Sequence, residues 1–272
     1  KGGAIHKNGA ASKLYTCLVL FVGHISATMA MLTNLGILDM AIENHLVVKS
    51  NALVQASYKL TLNEQRLVLL GVSMLDSRRP GIRPGFNQVE SIRITAEAYA
   101  EAFHIDKRKA YEELKEATNN LFERSVIQVN GKRTVKDRWV SRVEYHDGEG
   151  WAELSFSHHL LPHLTSLGRD FTKYRLGQVA NLRSTYSVRI FEWCIQFIDN
   201  GWMVVTLDEL RQRLGVQHSK YADLRRKVIE PAVKELNTKS NLSISMEPIK
   251  EGKAVKAVKF VFKEQEQGRL NF

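Results

Sequence analysis

Cysteine is almost missing from this chain: Cys17 and Cys194 are the only two in 272 residues, and they stand far apart. That count excludes a disulfide framework and a cysteine-based zinc site, and it suits a reducing cytoplasm. Cys194 falls within an apolar helical pattern and is expected to be a small buried hydrophobe. No G-x-x-x-x-G-K-[ST] run occurs, which argues against a phosphate cradle for nucleotide hydrolysis. Metal-assisted strand nicking needs two histidines separated by one apolar residue, plus a tyrosine nucleophile. Here His158 and His159 are adjacent and His163 follows Leu-Leu-Pro, a spacing that does not set two imidazoles on one face of a strand. These histidines are expected at a strand end and in a loop. The carboxylates are mixed with basic residues on helical segments and form no isolated acid–base pair. The chain therefore reads as non-enzymatic, with no cofactor, no metal and no catalytic residue.

Charge is also absent from one long segment. Between Lys13 and Asp39 no formally charged residue occurs, and YTCLVLFVGHISATMAMLTNLGIL has the length of a membrane helix or signal peptide. His24, Ser26, Thr28, Thr33, Asn34 and two glycines interrupt it, and no clean small-x-small cleavage site follows. Met40 is read as the natural start, with residues 1–39 an upstream-encoded or weakly ordered extension. A membrane-anchored interaction protein using residues 14–38 is the alternative.

What the chain does have is an excess of positive charge, +10 overall, unevenly placed. Residues 41–165 carry 17 Lys+Arg against 16 Asp+Glu, whereas residues 166–272 carry 19 against 12. The second half is thus the expected reader of a polyanion. A repeated pattern runs through both halves: helix, turn, basic helix, then a strand pair. It appears from Ile92 to Val129 and again from Trp202 to Phe262. The pattern predicts an α+β fold of two tandem winged-helix domains related by internal duplication. The expected segments are an extension over 1–40, a first winged helix over 41–165, a second over 166–264, and a tail over 265–272.

In the first copy, Leu60, Leu62, Leu67, Leu70, Val72 and Met74 supply an apolar face, with Glu64, Gln65 and Arg66 expected outside. RRPGIRPG (residues 78–85) must be a loop. A strand is expected at Ser91–Ile94, with Thr95 and Asp106 as caps of the two helices that follow. SVIQV and the strands flanking HDGEG are expected to form the sheet and wing. The helix from Lys107 carries Lys107, Arg108 and Lys109 in its first turn but Glu112, Glu113 and Glu116 just beyond. Those carboxylates would repel phosphates, so this module is expected to make backbone or protein contacts. In the second copy, Thr206 and Glu209 have capping-box spacing, and Gly215 permits the tight turn. The candidate reader starts at about Ser219. Tyr221, Leu224, Val228 and Val233 face its core, and Lys220, Asp223, Arg226 and Lys227 lie outward with Arg225 at the edge. Arginine can bond guanine bidentately in the major groove, while lysine more often fixes register on phosphates. Pro231 is expected to kink or split this helix near Glu230. Lys250, Lys253 and Lys256 cluster at the tip of the final hairpin, where a wing would touch the minor groove or the backbone.

Three stretches carry a family resemblance: LVVKSNALVQASYKLTLNEQRLVLLGV, FTKYRLGQVANLRSTYSVRIFEWCIQF and YADLRRKVIEPAVKELN. Over about residues 44–264 the chain resembles the iteron-binding plasmid replication initiators, the Rep type 3 initiator proteins. The resemblance implies two winged-helix domains joined by a linker helix. It implies binding of iteron repeats in double-stranded origin DNA by monomers, opening of adjacent AT-rich DNA, and recruitment of host replication proteins such as helicase and initiator. It also implies homodimers, in equilibrium with monomers, that repress their own gene or pair origins for copy control. Main base contacts would fall on Lys220, Arg225, Arg226 and Lys227, and the N-terminal domain would add DNA contacts or the dimer interface. Residues 1–40 have no counterpart in that pattern, and Pro231 departs from some relatives. A winged-helix transcriptional regulator is the alternative within DNA binding.

Overall fold

Thr61 and Thr206 each accept from the backbone three residues on and are met in return by a glutamate, Glu64 and Glu209, closing two capping boxes. Each box removes two orphan N–H groups from a helix start. In the computed structural model, which describes residues 41–77, 91–146, 148–218 and 220–265, these boxes open one helix in each of two copies of one layout, the leading helix of the first and the second helix of the second.

The first copy runs α2 (Leu62–Ser73), β3 (Ser91–Thr95), α3 (Ala96–Phe103), α4 (Lys107–Leu121), β6 (Val140–His146) and β7 (Trp151–Phe156). It is preceded by β1 (Leu46–Ser50), α1 (Asn51–Gln55) and β2 (Ser57–Tyr58), and a further hairpin, β4 (Ser125–Asn130) and β5 (Arg133–Arg138), sits between α4 and β6. The second copy runs α6 (Thr185–Gln196), β9 (Trp202–Thr206), α7 (Leu207–Leu214), α8 (Tyr221–Leu224) continuing into α9 (Glu230–Lys239), then β10 (Leu242–Glu251) and β11 (Ala254–Glu264). Between the copies lie β8 (Phe171–Arg175) and the short α5 (Gly177–Ala180).

The sheet orders are β3-β7-β6 and β10-β11-β9. In both, the strand before the helix pair bonds the last strand of the hairpin, which is winged-helix topology twice over. SVIQV departs from expectation. It forms β4, which pairs with β2 and β5 in a separate three-stranded sheet, so the wing of the first copy is built from β6 and β7 alone. The two-residue turn between β4 and β5 is Gly131-Lys132, closed by the Asn130–Arg133 pair, with Gly131 at φ +57°.

A second departure concerns α2. Glu64, Gln65 and Arg66 are buried, at 0%, 2% and 4% exposure, not outside. The Arg124 guanidinium grips Glu64 through two bonds of 2.9 and 2.8 Å, and Arg66 reaches Glu113 at 3.7 Å. Nearly the whole of α2 is enclosed, as a helix covered on all sides must be.

The two copies are tied together. β1 pairs antiparallel with β8, Leu46 opposite Arg175 through Ser50 opposite Phe171. Behind this pair, Lys49 and Arg189 both contact the fully buried Glu192 of α6. Tyr174 donates to Glu192 at 2.7 Å, and Arg189 donates to the Ala56 carbonyl at 2.7 Å and to the Tyr58 hydroxyl. Trp193 donates to the Val54 carbonyl at 3.0 Å. Burial alone would push the Glu192 carboxyl upward, but Lys49 and Arg189 outweigh it and hold the group below the usual range. Buried apolar residues from Val47 to Phe262 form one cluster across both copies.

Candidate nucleic-acid interface

The second helix pair is positioned by local chemistry. Thr206 starts α7, Leu207, Leu210 and Leu214 bury its inner face, and Gly215 ends it in the left-handed conformation at φ 64°, where a side chain would be strained. Leu224, Val228 and Ile229 are buried, and Tyr221 and Val233 pack partly against the core. That leaves Lys220, Arg225, Arg226 and Lys227 exposed. Ser219 lies outside the described residues.

Pro231 does not break the helix. Residues Arg225–Ile229 form one π turn, in which the Glu230 N–H reaches back five residues to the Arg225 carbonyl. Proline has no N–H to give and its ring would strike the carbonyl four residues earlier, so a widened turn lets the helix pass. Backbone angles stay helical on both sides, at Leu224 and Glu230, and α9 packs against α6 and β10. The three adjacent cations therefore ride on a local bulge, a feature often found at functional sites.

Each of them rests on a carboxylate of the same helix. Arg225 meets Glu230 at 2.7 Å, and Arg226 and Lys227 both meet Asp223 at 3.4 Å. The bond from Lys227 holds the Asp223 carboxyl below its usual range, and Glu230 raises the Arg225 guanidinium above its own. These are solvent-exposed pairs, worth little and easily exchanged.

The wing follows from strand lengths. β10 and β11 pair from Leu242/Glu264 out to Glu251/Ala254, while β9 covers β11 only from Val261 to Ala257. The hairpin end, with Lys250, Lys253 and Lys256 exposed, thus extends past the third strand. Gly252 at φ 60° makes the turn, and Lys256 pairs with Glu251 at 3.6 Å.

The first copy differs. Asp106 caps α4 by accepting from Arg108 and Lys109 at 2.9 and 3.3 Å. Lys107 pairs with Glu97 at 2.5 Å and Lys109 with Glu113 at 3.4 Å. Arg108 is exposed on the same turn. In its sheet, Arg93 of β3 lies over the Trp151 ring at 3.9 Å and also meets Glu153.

The β4–β5 hairpin, passed over in the sequence, places Lys132, Arg133, Lys136 and Arg138 at the surface. His158 and His159 are exposed in a turn. His163 bonds Ser50 Oγ at 2.8 Å and Gln128 at 3.3 Å. Among the described residues no group of His, Cys, Asp and Glu could hold a metal ion, and no helix is long and apolar enough to cross a membrane. The segment 14–38 and Cys17 lie outside the described residues; Cys194 is buried, which raises its thiol far above the usual range.

Two winged helices in tandem, the second with exposed cations on the second helix of its pair and on its wing, define a class of DNA-binding proteins. Comparison with known sequences narrows this. Residues 46–195 match the family described as "Initiator Replication protein, WH1", and residues 206–262 match "Initiator Rep protein, WH2". The chain belongs to this family of replication initiators. A "Replication initiation protein" from Escherichia coli is 30% identical over 207 residues, covering 73% of this chain and 64% of that protein. The chain thus spans less than two thirds of that relative's length. An "Uncharacterized 27.6 kDa protein" from Escherichia coli is 26% identical over 211 residues, 72% of this chain and 86% of that protein. The Pi initiator protein, solved in complex with iteron DNA, superposes with a TM-score of 0.71 at 20% identity, covering 83% of this chain and 99% of that one. That likeness speaks for the fold.

Proposed function

We propose that this chain initiates plasmid replication by binding iteron repeats in duplex DNA at the origin, promoting local opening and recruiting host helicase and initiator proteins. As a homodimer in equilibrium with the monomer it represses its own gene and limits copy number. Labour is divided between the modules: residues 166–264 recognise the iteron, residues 41–165 supply backbone contacts and the dimer interface, and the site of action is the cytoplasm. The single observation that carries this function is the run Arg225, Arg226 and Lys227, exposed on the reader helix and bulged outward by a π turn. Membership of the initiator family supplies the biological setting.

In this mechanism Arg225 and Arg226 bond base edges, the arginine fork matching guanine O6 and N7. Lys220 and Lys227 fix the helix on flanking phosphates, with Ser219 preceding them in sequence; Tyr221, also expected at the DNA, has its hydroxyl buried against the core and makes no such contact. Lys250, Lys253 and Lys256 hold the neighbouring groove or backbone, and Lys107, Arg108 and Lys109 add phosphate contacts from the first module. On binding, DNA phosphates replace Asp223 and Glu230 as partners of the cations, so part of the Coulomb gain offsets pairs already made. Activity here is binding and distortion; no bond is made or broken by the protein.

A footprint on the DNA flanking the encoding gene tests this function. Protection of direct repeats of about 20 base pairs, two duplex turns, is expected. Protection of a single inverted operator, with plasmid maintenance independent of the gene, would instead favour a transcriptional regulator.

A further inference from the structure

At the joint between the two modules lies a cavity of about 60 Å³ lined by Tyr58 and Lys59 beside β2, Gln65 of α2, and Thr185, Tyr186 and Arg189 of α6. Its polar lining includes two cations, Lys59 and Arg189, and the amide of Gln65, and no carboxylate contributes to it. Two of these donors are unsatisfied: Gln65 Nε2 and Arg189 Nε are buried and have no partner. Gln65 is 2% exposed and Arg189 3%. An unmet buried donor is costly, and two at one cavity call for an acceptor there. The charge balance points the same way. The enclosed cluster against which the cavity abuts holds two cations, Lys49 and Arg189, and one anion, Glu192, with Lys59 above it at the surface. The start of α6 is already occupied, because the Glu235 carboxylate accepts from Arg183 N and Ser184 N. The site therefore does not depend on that helix end.

We propose that this cavity binds a small oxyanion, with inorganic phosphate as its simplest form. The ion accepts from Gln65 Nε2 and Arg189 Nε, takes further bonds from Thr185 and Lys59, and supplies the negative charge that the buried cluster lacks. The space of about 60 Å³ exceeds the roughly 10–15 Å³ that a single water requires and leaves room for a small ion. Because β2 and α2 line one side and α6 the other, the ion binds only when the two modules are docked. Occupancy therefore stabilises the docked arrangement by mass action. This site is independent of α8 and of its role as a DNA reader.

The test is thermal unfolding of the full chain in millimolar phosphate against chloride at equal ionic strength. Phosphate is expected to raise the melting temperature by about 2–4 °C beyond chloride, and a dinucleotide phosphodiester to give no such rise. Gln65→Leu removes an unpartnered amide, so it should leave the stability in chloride equal or higher while abolishing the phosphate increment; Thr185→Val should reduce the increment. Arg226→Gln should retain it in full. A wild-type chain indifferent to phosphate would overturn the proposal. So would an increment that survives Gln65→Leu, or one lost in Arg226→Gln, which would place the ion on the α8 surface.

Discussion

The helices in the recognition position of the two modules, α4 and the helix that runs from α8 through the π turn (together called α8 below), both carry three consecutive cations in different settings. In α4 the triplet Lys107-Arg108-Lys109 occupies the first turn, where the helix dipole disfavours positive charge. Asp106, Glu97 and Glu113 compensate it at once, and Glu112 and Glu116 follow on the same helix. In α8 the triplet Arg225-Arg226-Lys227 begins a turn later, on the π bulge, with Asp223 and Glu230 as exposed and replaceable partners. The wings repeat the contrast. The tip of the second carries Lys250 and Lys253 around a single carboxylate, Glu251, which Lys256 meets; the first turns through Gly148 and Gly150 with Glu149 between them and no lysine or arginine beside it. On the proposed function, duplicating the fold has not duplicated its role, and the placement of carboxylates sets which copy faces the polyanion.

The largest expected effect would break the comparison by separating the modules. Glu192→Gln leaves Lys49 and Arg189 buried without a counter-charge, and stability to urea is expected to fall by about 3–5 kcal/mol. Next, Arg226→Glu is expected to weaken binding to the iteron duplex by about 100-fold or more, as loss of a bidentate base contact and a repelled phosphate imply. Arg108→Glu should cost under about tenfold, the scale of one exposed phosphate contact. Equal losses in a gel-shift titration would erase the distinction between the copies. Replacing Lys250 and Lys253 by Gln should flatten the salt dependence by about 1.8 in d log K/d log salt, without changing which sequences are protected.

The smallest effect is a pH dependence of stability, arising at the joint and not at the interface. Glu192 is held below the ordinary glutamate range in the folded chain by Lys49 and Arg189. Its contribution is therefore complete above the unfolded value and is lost as pH falls through the lower, folded value. Urea midpoints should drop on acidification in the wild type and change less in Glu192→Gln. A wild type and variant with parallel midpoints from neutral to acid pH would contradict the cluster's role.

Much of this was legible in the residues themselves. Thr95, Asp106, the Thr206–Glu209 box and Gly215 act within three or four positions, so their caps could be read directly, and alternation around Gly252 marked the wing. The outward set Lys220, Arg225, Arg226 and Lys227 followed from helical spacing against Leu224 and Val228. What could not be read depends on partners far along the chain. Glu64 is buried because Arg124 grips it, Glu192 because Lys49 and Arg189 meet it, and β1 finds β8 across more than a hundred residues. Local pattern carries no trace of such pairings, so Glu64, Gln65 and Arg66 looked like solvent-facing positions. Pro231 was legible as a disturbance near Glu230, but the form it takes was not. A π turn is a rare answer to a common obstacle, and the one-residue widening leaves no mark in the periodicity.

The most direct test is a footprinting titration on the DNA beside the encoding gene, comparing the wild-type chain with Arg226→Glu at equal folded concentration. The account predicts protected direct repeats for the wild type and none for the variant over the same concentration range. An unaltered footprint from the variant would contradict the claim that α8 reads the duplex.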